Sequence, residues 1–130
     1  MVYLGLPSRD KFSMENIASP SANKDVKISF LFDSSVEFDP RQAMMLQYEI
    51  VSTIGSSSKL EGTYSVESVV PIGTGLMGSL EYEGVYIVVP SDFFHEDDVG
   101  SMKNMMNSSI LQSANINATV DRTEIEYIVS

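Results

Sequence analysis

The chain has 130 residues, the length of one domain, and no cysteine, which excludes disulfides, thiolate nucleophiles and cysteine-based metal sites. Its 18 acidic and 8 basic side chains leave a net charge of −10, which opposes both a phosphate backbone and an anionic membrane surface. No apolar run approaches the roughly 18 residues that a membrane span requires, and the N-terminus lacks the basic segment and apolar core of a secretory leader.

Residues 1–24 read as an N-terminal arm. Val2, Tyr3, Leu4 and Leu6 form an apolar tip cut by Gly5 and Pro7, and a Ser-, Asn- and Pro-rich passage follows. An apolar tip is expected to pack on the sheet of its own domain or of a neighbouring subunit. Residues 25–130 read as a single domain. From Val26 to Asp33, Val26, Ile28, Phe30 and Phe32 alternate with Lys27, Ser29, Leu31 and Asp33, the period-two mark of a strand with one face in a core.

Asp39 and Pro40 open a helix, as N-cap and first helical residue, that runs to about Ile54 with Gly55 as its C-terminal cap. Ala43, Leu46, Ile50 and Ile54 share one face, flanked by Met44, Tyr48 and Val51. A second strand lies within Thr63–Ile72. A glycine-rich loop then leads through Leu80–Glu83 into Gly84–Val89, where both alternating faces are apolar. Such a run reads as a central strand, and Pro90 ends it.

A second helix is expected from about Asp98 to Ala114, with Val99, Met102, Met106 and Ile110 as its stripe. Gly100 and several Asn and Ser residues weaken its propensity, so burial must hold it. The last strand spans Ala118–Ser130, with Ile125, Tyr127 and Val129 facing inward. The order strand, helix, strand, strand, helix, strand predicts an α+β fold of ferredoxin-like βαββαβ pattern. It implies a four-stranded antiparallel sheet with two helices on one face, the first and third strands in the centre, and an N-terminal extension. Fold alone assigns no function.

Gly73-Thr74-Gly75-Leu76-Met77-Gly78 matches G-x-G-x-x-G, but a strand follows where dinucleotide binding needs a helix. The loop therefore reads as a hairpin tip that presents Leu76 and Met77 for contact. His95, the only histidine, sits among Asp92, Glu96, Asp97 and Asp98. His95 and Asp97 are candidate cation ligands, against the commoner reading of acidic residues as caps that complement a helix N-terminus. Asn107-Ser108-Ser109 and Asn117-Ala118-Thr119 match the glycosylation pattern and, without a leader, read as chance. No serine stands in a G-x-S-x-G elbow, and Lys27 is nearly the only base near Tyr86, so neither nucleophilic catalysis nor sheet-face nucleic-acid binding is supported.

The sheet face away from the helices is expected to carry an apolar band of Leu31, Val69, Ile128 and one face of Val85, Ile87 and Val89. A band of this kind is covered by a partner or by the chain's own extension. The leading expectation is a non-enzymatic structural or interaction protein that homo-oligomerises through this face and the arm, such as a virion or phage tail-assembly component. Its contact residues would be Tyr3, Leu4, Leu31, Leu76, Met77, Val85, Ile87 and Val89. The readings weighed against it are a small-ligand or metal-dependent enzyme and an acidic inhibitor of a basic, nucleic-acid-binding partner. No catalytic residue, cofactor, nucleic acid or membrane enters the leading reading, and no compartment follows from it.

Overall fold

A computed structural model describes residues 24–62, 64–73 and 81–129. The arm with Tyr3 and Leu4, and the hairpin tip with Leu76 and Met77, lie outside the described residues. Strand β1, Lys24–Glu37, is longer at both ends than its alternation predicts. Helix α1 is Pro40–Ser56, β2 is Ser68–Gly73 and β3 is Glu81–Pro90. A single 3-10 turn, Ser91–Phe93, leads to α2, Asp98–Met105. A π turn, Met106–Ile110, joins α2 to α3, Leu111–Ser113, and the three form one continuous second helix. Strand β4 is Val120–Val129.

The sheet is four-stranded and antiparallel in the order β2-β3-β1-β4. The two most apolar strands, β1 and β3, hold the centre, where each is hydrogen-bonded to a neighbour along both edges. Val26, Ile28 and Phe30 of β1 and Val85, Ile87 and Val89 of β3 are completely buried on one face. Packed over them are Leu46, Ile50 and Ile54 of α1 and Met102, Met106, Ile110 and Leu111 of the second helix. The shared core of α1, the second helix and this sheet face makes the domain α+β. Between Leu31 and Val36 the β1–β3 register shifts, and β1–β4 shifts between Leu31 and Phe32, so β1 bends just past its midpoint.

Helix α1 starts as its sequence predicts and ends later. The Asp39 carboxylate accepts from the Gln42 N–H at 2.8 Å and the Gln42 side chain accepts from the Asp39 N–H at 3.0 Å, a full capping box. Gln42 also donates to the Asn115 carbonyl at 2.7 Å, tying the start of α1 to the end of the second helix. Gly55 is not the C-terminal cap: it lies inside the helix, where a Cβ would stand 3.2 Å from the Tyr64 carbonyl oxygen. The residue that leaves a helix in the left-handed region is Asn115, at φ 59°, after α3.

The second strand is shorter than predicted, because Tyr64 is drawn out of the sheet line into the core under α2. In the second helix the π turn adds a residue to one turn, so Ile110 and Leu111 both point inward. Asn107, within that turn, accepts from the Val120 N–H at 2.7 Å and donates to the Val120 carbonyl at 3.2 Å, fixing the start of β4. Its amide is thus committed to the fold. Along β4 Val120 is buried in the core and Ile125 packs against it. Tyr127 and Val129 are 50% and 70% exposed, because this edge strand runs past the end of the helical cover.

Candidate interaction surfaces

The register of the sheet fixes which side chains share its helix-free face. The rungs Ser68–Val88–Lys27–Glu126, Val70–Tyr86–Ser29–Glu124 and Ile72–Gly84–Leu31–Arg122 each run across all four strands on that side. The face is therefore divided. On β2 and β3 it is apolar, with Val70, Ile72, Tyr86 and Val88; on β1 and β4 it is charged, with Lys27, Glu124, Glu126 and Arg122. The Lys27 ammonium lies 4.4 Å from the centre of the Tyr86 ring and 3.9 Å from a Glu126 carboxylate oxygen, which links the two halves. Arg122 pairs with Glu124 at 3.5 Å.

Leu31 lies on this face as expected, half-buried, and Ile128 lies on the same face at its other end, on the rung of Asp25 and Pro90. The expectation for Val85, Ile87 and Val89 is corrected. They are completely buried beneath the helices, with Val69 beside Ile87 on the same side, and none is available to a partner across the open face. The physical reason is in the alternate set of β3. Gly84, Tyr86, Val88 and Pro90 bring a residue without a side chain and a phenol that needs water or a polar partner, so the wholly aliphatic set goes inward.

At the start of α2 the acidic cluster separates. Asp98 turns inward, buried, and accepts a hydrogen bond from the Tyr64 hydroxyl, whose oxygen in turn accepts from the His95 N–H at 3.3 Å. Burial first, and the Asp98 carboxylate second, push the Tyr64 phenol from its ordinary value up to about 12. His95 faces outward, its Nδ1 3.5 Å from Glu61, and Asp97 is exposed. Asp39, at the other end of the sheet, is occupied by its capping box. Among the described residues no three His, Asp or Glu side chains gather to hold a metal ion. The Tyr64–Asp98–His95 chain of hydrogen bonds locks the β2 approach onto α2, and it points to no reaction.

A second surface was not anticipated. Met44, Tyr48 and Val51 are 71%, 66% and 43% exposed, with Met45 beside them at 44%. They recur at i, i+4 and i+7 on the side of α1 opposite Leu46, Ile50 and Ile54. In the sequence they pass for the margins of one broad stripe; the structure shows two apolar stripes, of which one is covered. The readable signal is a second apolar set, Met44, Tyr48 and Val51, that recurs at helical spacing apart from Leu46, Ile50 and Ile54. No known protein family, characterised protein or solved structure matches the chain.

Proposed function

We propose that this chain is a non-enzymatic interaction subunit that associates with copies of itself through the open face of the sheet, with the apolar N-terminal segment as part of the cover. The observation that carries the reading is the helix-free sheet face, where Leu31, Val70, Ile72, Tyr86 and Val88 lie together without a helix over them. Apolar patches of this kind on one side of a sheet are places of contact. The Lys27–Glu126 and Arg122–Glu124 pairs beside them suit the polar border that surrounds an interface centre. The setting we infer from general character, a small acidic cysteine-free subunit with an arm, is a particle such as a virion or phage tail. For the fold we infer the finer, ferredoxin-like class; what supports it is the βαββαβ element order with β1 and β3 adjacent in the centre and every pairing antiparallel.

Light scattering coupled to size-exclusion chromatography tests the function. The full chain is expected to run as an oligomer, and deletion of residues 1–24 or a Val70→Glu change to lower its mass. A strict monomer at all concentrations, unaffected by either change, refutes the proposal.

A further inference from the structure

Strand β4 is an edge of the sheet, and we infer that a second copy of this chain adds to it, β4 against β4, antiparallel about a two-fold axis at Tyr127. The contact goes beyond the sheet-face reading and does not use that face.

The phase of the main chain fixes which groups are open. A Cβ on Gly84 would strike the Phe30 carbonyl oxygen, so the main-chain groups of Phe30 point to β3. Direction alternates along a strand, so those of Asp25, Lys27, Ser29 and Leu31 point to β4, where they meet Ile128, Glu126, Glu124 and Arg122. The N–H and C=O groups of Thr123, Ile125, Tyr127 and Val129 therefore point outward. Among the described residues no other group of the chain bonds to them.

The start of this edge is closed by the chain itself. Asn107 holds both main-chain groups of Val120, and the Lys103 ammonium donates to the Asp121 carbonyl at 3.2 Å. The β2 edge is blunted in another way. Pro71 lies opposite Val85, whose own main-chain groups point to β1, so the proline nitrogen, which carries no hydrogen, lies on the outer side. What stays open is 123–129 of β4. Its last side chains, Tyr127, Ile128 and Val129, are apolar on both faces of the sheet and 50%, 37% and 70% exposed. Charges and prolines normally guard an edge against pairing, and along β4 the charges stop at Glu126.

The charge pattern selects the register. On the open face β4 carries Arg122, Glu124, Glu126 and Ile128. An axis at Glu124 or Glu126 sets that glutamate against itself, and an axis at Ile125 sets Glu124 against Glu126 twice. An axis at Thr123 drives the second strand into Asn107 and Lys103. An axis at Tyr127 avoids all of these. It places Tyr127 against Tyr127 and Ile125 against Val129 on the helix side, and Glu126 against Ile128 on the other. Each Glu126 keeps its own Lys27 at 3.9 Å. Ile125, Tyr127 and Val129 are also the residues whose main-chain groups point outward, so this register forms about six hydrogen bonds between the copies. One axis thus satisfies main-chain phase, apolar pairing and charge with the same residues on both sides, as an isologous contact requires.

Hydrogen exchange on the full chain, followed by residue across a dilution series, tests the contact. The Ile125, Tyr127 and Val129 amides are expected to slow about tenfold or more from dilute to concentrated protein, while those of Glu124 and Glu126, bonded to β1, stay slow throughout. Val129→Pro removes an outward N–H without touching a bond to β1. It is expected to weaken association about tenfold or more by light scattering, with circular dichroism checking the fold. The chain has no cysteine, so Tyr127→Cys, on the axis, is expected to link to itself under mild oxidation and Thr123→Cys is not. Association lost in Val70→Glu but unchanged in Val129→Pro refutes the edge contact and leaves the sheet-face proposal standing. Loss in Val129→Pro but not in Val70→Glu does the reverse. Outward amides that exchange freely at every concentration overturn the inference. So do outward amides protected at every concentration until residues 1–24 are deleted, which would put the chain's own arm on this edge.

Discussion

Gly84 is the position where the central pair of strands is most exposed to a single methyl group. It lies opposite Leu31, on the last β1–β3 rung before the register shift. A Cβ built on it collides with the Phe30 carbonyl oxygen and stands 3.0 Å from the Leu31 Cα and 3.1 Å from the Leu31 Cδ2. Two of these three neighbours are backbone atoms, which cannot rotate aside, so Gly84→Ala forces β1 and β3 apart where Phe30 and Val85 are completely buried. Overpacking of this kind costs about 1–3 kcal/mol. Loss of glycine's freedom in the unfolded chain offsets about 0.4–1 kcal/mol. With main-chain atoms in the way the upper part of the range applies, and the net loss is about 2 kcal/mol, or ~10 °C in Tm for a domain near 100 residues.

Gly100 supplies the internal control, since nothing lies within 4 Å of a Cβ built there and the residue is inside α2. Gly100→Ala is expected to gain up to about 1 kcal/mol from helix propensity. Urea unfolding of the three proteins, followed by circular dichroism, reads both effects. A Gly84→Ala midpoint equal to or above wild type would show that Leu31 and Gly84 do not face each other, and the register of the whole sheet would fall with them.

Tyr64 makes stability depend on alkaline pH. Its phenol ionises near 10 in the unfolded chain and is pushed up to about 12 in the folded one, so its contribution is complete below pH 10 and declines as pH rises towards 12. Urea midpoints from pH 8 to 12 are expected to fall less steeply in Tyr64→Phe than in wild type. At pH 8 the same variant is expected to lose about 1–3 kcal/mol, because the buried Asp98 carboxylate loses its donor; equal slopes would refute the pairing. Asn107→Ala removes both bonds to the Val120 main chain and is expected to cost about 1–3 kcal/mol. Hydrogen exchange should show the Val120 amide losing protection ahead of the rest of β4, and an unchanged Val120 amide would count against the bridge.

Local signals carried the elements well. Asp39-Pro40 before an apolar periodic run marks the start of α1 to the residue, because a cap needs only side-chain chemistry and one turn of backbone. Alternation in β1 marks the set that meets the helices, since Lys27, Ser29 and Asp33 leave only one apolar choice. In β3 both sets are apolar, and period two cannot say which goes inward. The π turn has no sequence mark either. It exists because Asn107 must reach Val120 while Met106, Ile110 and Leu111 all stay in the core. His95 and Asp98 are near neighbours in the chain, yet one faces water and the other is buried, a difference made by Tyr64 arriving from more than thirty residues away.

The sequence by itself determined the class of the domain, the central place of β1 and β3, and the N-terminal cap of α1, because each depends on local spacing and on how apolar a segment is. Only the tertiary structure decided which surfaces remain open. Helices cover a single face of the sheet, and α1 has a second apolar stripe for which the chain supplies no partner among the described residues. Which stripe of an apolar helix meets the core is settled by where the sheet and the second helix stand. A one-dimensional pattern cannot distinguish a covered face from one left for another molecule.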